Sequence, residues 1–99
     1  MKKNQDQFDV LRKVTKKPSA TQRELADELG FSLGKLNYCL GALKNKGLIK
    51  MKNFGKNPNK INYIYVLTPR GIAEKAKLTL NFMKRKMKEY DELKREIKG

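Results

Sequence analysis

Histidine and tryptophan are absent from this 99-residue sequence, and Cys39 is its one cysteine. A single thiol cannot form an internal disulfide. Without histidine, neither a Cys/His zinc site nor a Ser-His or Cys-His nucleophilic arrangement can be assembled. We therefore expect no enzyme activity, no metal and no cofactor.

Acidic residues are also scarce, with 10 Asp and Glu against 24 Lys and Arg, which gives a net charge of +14. Such an excess favours a nucleic acid or an anionic membrane surface as partner. Long apolar runs are missing, since none approaches the roughly 18 residues of a membrane span, and the basic start lacks a signal-peptide pattern. We expect a cytoplasmic, nucleoid-associated protein that neither spans a membrane nor is secreted.

Two short amphipathic segments lie between Thr21 and Ile49. In the first, Leu25, Ala26 and Leu29 recur at helical spacing, Thr21 and Glu24 have the spacing of a capping box, and Gly30 ends the helix. In the second, Ser32 is the expected N-cap, Gly47 ends the helix, and the buried stripe is Leu36, Leu40 and Leu43. Two helices joined by a short glycine-containing turn predict a helix-turn-helix, whose second helix enters the DNA major groove.

The opposite side of the second helix is small, hydrogen-bonding or cationic, and no acid occurs from Gly30 to Phe54. A helix exposed only to water usually mixes charge signs, so this surface is suited to a polyanion. We call it the recognition face: Ser32, Gly34, Lys35, Asn37, Tyr38, Gly41 and Lys44.

Individual roles follow from position on the helix. We expect Asn37 and Tyr38 to read base edges, because Asn can bond bidentately to adenine. Ser32, Gly34 and Lys35 lie at the helix start, where backbone N–H groups and a cation attract a phosphate. Further backbone contacts are expected from Lys44 and, at the start of the preceding helix, from Thr21, Gln22 and Arg23.

The first helix is predicted from Gln5 to Lys16, after a basic tail from Met1 to Asn4. Phe8, Leu11 and Val14 repeat every three residues, and Pro18 stops the helix. We expect this helix to pack across the helix-turn-helix and complete a three-helix core.

A β-hairpin is predicted after Gly47, from strands at Leu48–Lys52 and Ile61–Leu67 with turn formers between them. A hairpin directly after a recognition helix is typical of a winged helix. Its cations would lie near phosphates or in a minor groove, although a solvated surface loop is the alternative. Phe54 could support the loop or contact nucleic acid. The cations are Lys50, Lys52, Lys56 and Lys60.

A long helix is predicted from the Thr68-Pro69 start, because no proline follows and no glycine lies between Gly71 and Gly99. About 29 residues at 1.5 Å each give roughly 43 Å, too long for so small a core to cover. We therefore expect a helix (69–99) that begins by packing on the DNA-binding part (1–68) and continues as a dimerisation stalk. A helix folded over its own domain and a free basic helix are the alternatives. The apolar positions advance in steps of three and four, close to a heptad seam, although Thr79 and Lys86 interrupt the strictest register. They are called the outer stripe: Ile72, Ala76, Leu80, Met83, Met87, Tyr90, Leu93 and Ile97.

Dimerisation matters because two recognition helices related by a two-fold axis can occupy major grooves about 34 Å apart and read an inverted repeat. The predicted fold class is mainly α with a small β-hairpin: a winged helix-turn-helix with a long C-terminal dimerisation helix. The predicted partners are double-stranded DNA and a second copy of the chain.

The segment TQRELADELGFSLGKLNYCLGALKNKGLIKMKNF resembles the winged helix of MarR-type regulators. SLGKLNYCL, GLIKMKNF, YVLTPRGIAEKA and LNFMKRKMKEY are similar to the small MarR-family EPS-associated transcriptional regulators of bacteria, over about Phe8 to Ile97. The resemblance implies a winged helix that controls transcription, with exopolysaccharide genes as the expected targets. Gly41 stands where that family usually has a basic residue. No small-molecule effector is expected, because the chain is too short for the extra helix that forms a ligand cleft in larger relatives.

Two other functions fit the sequence. The winged helix could bind RNA or protein, or the chain could be a nonspecific architectural DNA-binding protein. Cys39, between the recognition face and the leucines, is interpreted as a small hydrophobe at the core edge rather than a redox sensor.

Overall fold

The computed structural model describes residues 2–53 and 63–99. These residues form four helices and one two-stranded antiparallel sheet. The elements are α1 (Lys2–Lys16), α2 (Gln22–Leu29), α3 (Leu33–Asn45), β1 (Ile49–Asn53), β2 (Tyr63–Leu67) and α4 (Pro69–Lys98). The predicted fold class is confirmed: helix-turn-helix, hairpin and long C-terminal helix follow one another as expected.

Helix α1 begins earlier than predicted. It starts at Lys2 rather than Gln5, so the prediction of a tail is wrong for residues 2–4. Nothing there breaks a helix, and the Gln5 amide donates a 3.0 Å hydrogen bond to Asp9, one turn on. The end at Lys16, before Pro18, is as predicted.

The caps of α2 and α3 are those that the sequence predicted. The Thr21 hydroxyl accepts a hydrogen bond from the Glu24 N–H at 3.1 Å, and the Ser32 hydroxyl accepts one from the Lys35 N–H at 3.1 Å. Gly30, with a φ of 71°, ends α2 in the left-handed region, where glycine has no steric penalty. The Gly30 backbone and the Ser32 side chain therefore fix the two ends of the turn between the helices.

One apolar core lies between α1, α2, α3 and the base of the hairpin. Helix α1 packs across both helices of the helix-turn-helix, as predicted. No charged or polar side chain is buried among the described residues. The core cluster comprises Val10, Leu11, Val14, Leu25, Ala26, Leu36, Cys39, Leu40, Leu43, Leu48 and Ile49.

The hairpin pairs Ile49 with Leu67 and Asn53 with Tyr63. Strand β1 starts one residue later than predicted, because the Leu48 N–H donates to the Leu43 carbonyl and the Leu48 carbonyl accepts from the Thr68 N–H. Within β1, Ile49 is buried but Met51 is 42% exposed, so not every apolar residue of the strand faces the core. Phe54, Lys56, Lys60 and the predicted strand residues 61 and 62 lie outside the described residues.

Helix α4 is anchored at its first turn by Thr68. The Thr68 hydroxyl accepts a hydrogen bond from the Gly71 N–H at 3.0 Å and donates one to the Gly47 carbonyl at 2.6 Å. Further along, Leu78 packs on the core, and the Phe82 ring lies 5.9 Å from that of Phe8. The start of α4 is thereby tied to the end of α3.

The side of α4 that packs on the domain is not the outer stripe. Gly71, Leu78 and Phe82 provide the packing side, and no packing role was predicted for these three residues. All eight stripe residues are exposed, and the last of them, Ile97, is 86% exposed. From residue 83 onward every position of α4 is exposed, so this part of the helix is bare.

Although α4 is 30 residues long, no helix in the described part of the chain is both long and apolar enough to cross a membrane.

Replacing Gly71 with Ala is expected to destabilise the fold by about 1 to 3 kcal/mol, as overpacking does. The added Cβ would collide with the Leu48 carbonyl oxygen and lie 2.9 Å from its carbon, and both are backbone atoms that cannot turn away. The free energy of unfolding in urea, at fixed protein concentration, measures the loss.

The matched control is Gly41→Ala, because a Cβ at Gly41 meets nothing within 4 Å. That change is expected to stabilise α3 by up to about 1 kcal/mol. Equal stability of the two variants would show that the close approach of α4 to Leu48 is not a constraint.

Candidate nucleic-acid interface

The recognition face is exposed because the other side of α3 is buried. Leu36, Leu40 and Leu43 are each less than 5% exposed, and Cys39 between them is buried too, so the residues on the other side of the helix point outward. Asn37 is exposed, and Tyr38 is 59% exposed. Gly41 is half-buried at the edge of the recognition face. The other predicted residues are exposed on one surface: Ser32, Gly34, Lys35, Asn37, Tyr38 and Lys44.

This surface belongs to a stretch of sequence without acids. No Asp or Glu occurs between Glu28 and Glu74. The described cations of that stretch are all exposed: Lys35, Lys44, Lys46, Lys50, Lys52 and Arg70. Together they give this part of the molecule a positive field suited to phosphates.

Lys35 has two contacts that the sequence did not reveal. Its ammonium nitrogen lies 3.1 Å from a carboxylate oxygen of Asp6 on α1, and 4.3 Å from the centroid of the Phe31 ring. The Asp6 side chain is only 19% exposed. One acid from another helix is therefore placed against the start of the recognition face, where it offsets the charge of Lys35.

The start of α2 is held against the hairpin. Thr21, Gln22 and Arg23 are exposed as predicted, and the Gln22 amide donates a 3.2 Å hydrogen bond to the hydroxyl of Tyr65 on β2. The Thr21 hydroxyl already accepts the capping bond of α2. Tyr65 was not among the predicted site residues, although it fixes the hairpin beside them.

Lys50 and Lys52 project from β1 on the same face as Val66 and Ile64, with which they pair. Tyr65 and Leu67 occupy the other face, which packs on the core. Both lysines are exposed. The two other predicted wing cations, Lys56 and Lys60, lie outside the described residues, so only the base of the wing can be placed.

Cys39 is buried beneath the recognition face, at 3% exposure. Burial raises the pKa of its thiol above the ordinary value, and the nearby Asp6 carboxylate adds to the rise. Since the thiolate is the reactive form, this environment lowers the reactivity of the sulfur. The interpretation of Cys39 as a small apolar residue is confirmed, and the residue lies deeper than the core edge predicted for it.

Residues 7–50 match the family model of winged helix-turn-helix DNA-binding domains. The match covers most of α1, all of α2 and α3, and the first two residues of β1, and it therefore includes the whole recognition face. A search of curated proteins returned no match.

Several solved structures share the fold. PcaV, a transcriptional regulator from Streptomyces coelicolor solved with its natural ligand, is similar with a TM-score of 0.66 and 19% identity, over 79% of this chain and 54% of its own. NMB1585, a MarR family regulator from Neisseria meningitidis, gives 0.62 and 22% over 84% and 57%. FabT from Streptococcus pneumoniae, solved in complex with DNA, gives 0.62 and 22% over 84% and 56%.

This chain spans a little over half the length of those proteins. The described residues have the winged helix-turn-helix fold that is found in MarR-family regulators.

Proposed function

We propose that the chain is a sequence-specific, double-stranded DNA-binding transcriptional regulator that acts as a homodimer. The observation that carries the proposal is the exposed, acid-free recognition face of α3, beside cations at the base of the hairpin. The match of residues 7–50 to DNA-binding winged helices supports it, as does the structural similarity to FabT, which was solved with DNA.

In this proposal residues 1–68 bind DNA, with α3 in the major groove. Asn37 and Tyr38 read base edges from the first half of the helix. Ser32, Gly34 and Lys35 contact phosphate at the helix start, where backbone N–H groups point outward. The remaining contacts to the backbone come from Thr21, Gln22, Arg23, Lys44, Lys50, Lys52, Lys56 and Lys60.

The homodimer forms through residues 69–99. The outer stripe of α4 is exposed along its whole length, and an apolar stripe of this extent on a charged helix is suited to pairing with another helix. Two-fold symmetry would then present two recognition helices to an inverted repeat. A single copy would bind weakly and with little selectivity.

The genes controlled are proposed to be those of exopolysaccharide biosynthesis, on the resemblance of SLGKLNYCL and YVLTPRGIAEKA to EPS-associated regulators. The protein would then act at the nucleoid. Selection of bound fragments from the genomic DNA of the source organism tests both points. We expect an inverted repeat upstream of a small set of genes, polysaccharide genes among them. Unselective recovery of fragments would favour the architectural alternative.

Replacing Asn37 with Ala should cost about 1 to 3 kcal/mol of affinity on the selected repeat and little on random DNA, because a base contact is lost. Fluorescence anisotropy at fixed salt measures both affinities. The control is Asn45→Ala, an exposed residue at the end of the same helix and outside the predicted readers. Equal losses on both DNAs would remove Asn37 from the base-reading residues.

Replacing Asp6 with Asn is expected to strengthen binding to random duplex DNA. Asp6 neutralises Lys35 across 3.1 Å, and its removal frees a cation at the start of α3. If Lys35 then reaches a phosphate, the slope of log affinity against log salt should steepen by about 0.9. A salt titration by anisotropy measures this slope.

The control for that change is Asp9→Asn, which removes the same charge from α1 but leaves the Lys35 pair intact, since Asp9 bonds to Gln5. Weaker binding by the Asp6 variant alone would mean that the pair holds α3 in its binding position.

A further inference from the structure

An apolar groove of about 710 Å³ lies between α1, β2 and the first half of α4. One wall is formed by Val14 near the end of α1 and by Pro18 just after that helix. The other wall is formed by β2 with Val66. The α4 side is formed by the first three residues of the outer stripe, Ile72, Ala76 and Leu80. The groove and the outer stripe are therefore one continuous apolar surface.

The two halves of the stripe differ in their surroundings. The first half of the stripe forms one side of the groove, and its own domain provides the other walls. The second half, from residue 83, projects from the domain as a bare helix. The same chain thus has an apolar groove and an uncovered C-terminal helix half that carries an apolar stripe.

From this juxtaposition we propose that, in the homodimer inferred above, the α4 helices pair antiparallel, and the C-terminal half of each helix occupies the groove of the other copy. A two-fold interface requires that each copy give and receive the same contact, and groove and helix end satisfy that condition together. The occupant of the groove is a second copy of this chain.

The spacing of the stripe fits antiparallel pairing. When the two-fold axis passes near residue 85, every apolar position meets another apolar position, with the small Ala76 opposite the larger Leu93. The pairs are Ile72 with Ile97, Ala76 with Leu93, Leu80 with Tyr90, and Met83 with Met87.

Sterics oppose a parallel pair. In a parallel pair, the first half of one stripe would lie against the first half of the other. The groove of each copy would then face the domain of the other copy. A bare helix enters a groove more readily than a domain does. Antiparallel pairing leaves the two domains at opposite ends of the helix pair.

Charge favours the same arrangement. Residues 69–82 carry three cations and one acid, whereas residues 89–98 carry three cations and four acids. Antiparallel pairing therefore brings unlike ends together. The basic residues at 84–88 lie at the centre in this arrangement, where Arg85 and Lys86 lie 6.0 and 5.4 Å from the centroid of the Phe82 ring.

Cysteine cross-linking tests the arrangement. Ala76→Cys and Leu93→Cys are made as separate chains in a Cys39→Ala background, one chain carrying a size tag, then mixed and equilibrated in a glutathione buffer. A parallel set retains Cys39, whose buried thiol reacts slowly, in case the background variant unfolds. We expect a disulfide between the two different chains, at least about tenfold more abundant than in either chain alone. In an antiparallel pair each residue lies about 26 Å from its own symmetry copy, far beyond disulfide reach.

The control pair is Asn81→Cys with Glu89→Cys, which lie at matched levels on the opposite side of α4 and should not cross-link. Self-linking of Ala76→Cys would show a parallel pair and overturn the inference. A sedimenting dimer without either cross-link would place the interface elsewhere, overturning the inference but keeping the homodimer. Sedimentation of the unmodified chain as an 11.5 kDa monomer would remove the homodimer as well.

Discussion

Burial of the leucine side of α3 is the constraint on which the other features depend. Leu36, Leu40 and Leu43 fill the space between α1, α2 and the base of the hairpin, and removing one such side chain costs about 2 to 5 kcal/mol. A rotation of α3 about its axis would expose these residues. The orientation of the recognition face, with Asn37 and Tyr38 outward, is therefore enforced by the core.

The same core links the recognition helix to the long helix. After α3 ends, the Gly47 and Leu48 carbonyls both accept hydrogen bonds from Thr68, the N-cap of α4. Gly71 then allows α4 to approach the Leu48 backbone more closely than any side chain would permit. Because these contacts join the residues that follow α3 to the first turn of α4, the direction of α4 follows that of α3. Whatever pairs the long helices in a dimer would also set the separation of the two recognition faces.

The helix ends and the leucine stripes were predictable because their causes are local. Thr21, Ser32 and Thr68 each cap the turn that follows them, and Gly30 stops a helix by its own backbone freedom. The apolar period likewise needs no knowledge of distant residues. The early start of α1 was missed because a basic tail and a basic first turn have the same composition.

Contacts between distant segments could not be predicted in this way. The pairing of Asp6 with Lys35 depends on the angle at which α1 crosses α3, and the bond from Gln22 to Tyr65 depends on where the hairpin folds. The division of α4 into a packing side and an outer stripe has the same origin. Leu78 and Phe82 are as apolar as their neighbours, and only the position of the core selects them.

The most direct test of the recognition face is an amide chemical-shift titration of the isotopically labelled protein with duplex DNA. Contact through α3 predicts that the largest shift changes fall between residues 32 and 44 and at the start of α2, with small changes beyond residue 83. If the largest changes lie along the second half of α4 while α3 is unaffected, the recognition face does not bind DNA and the proposed function is wrong.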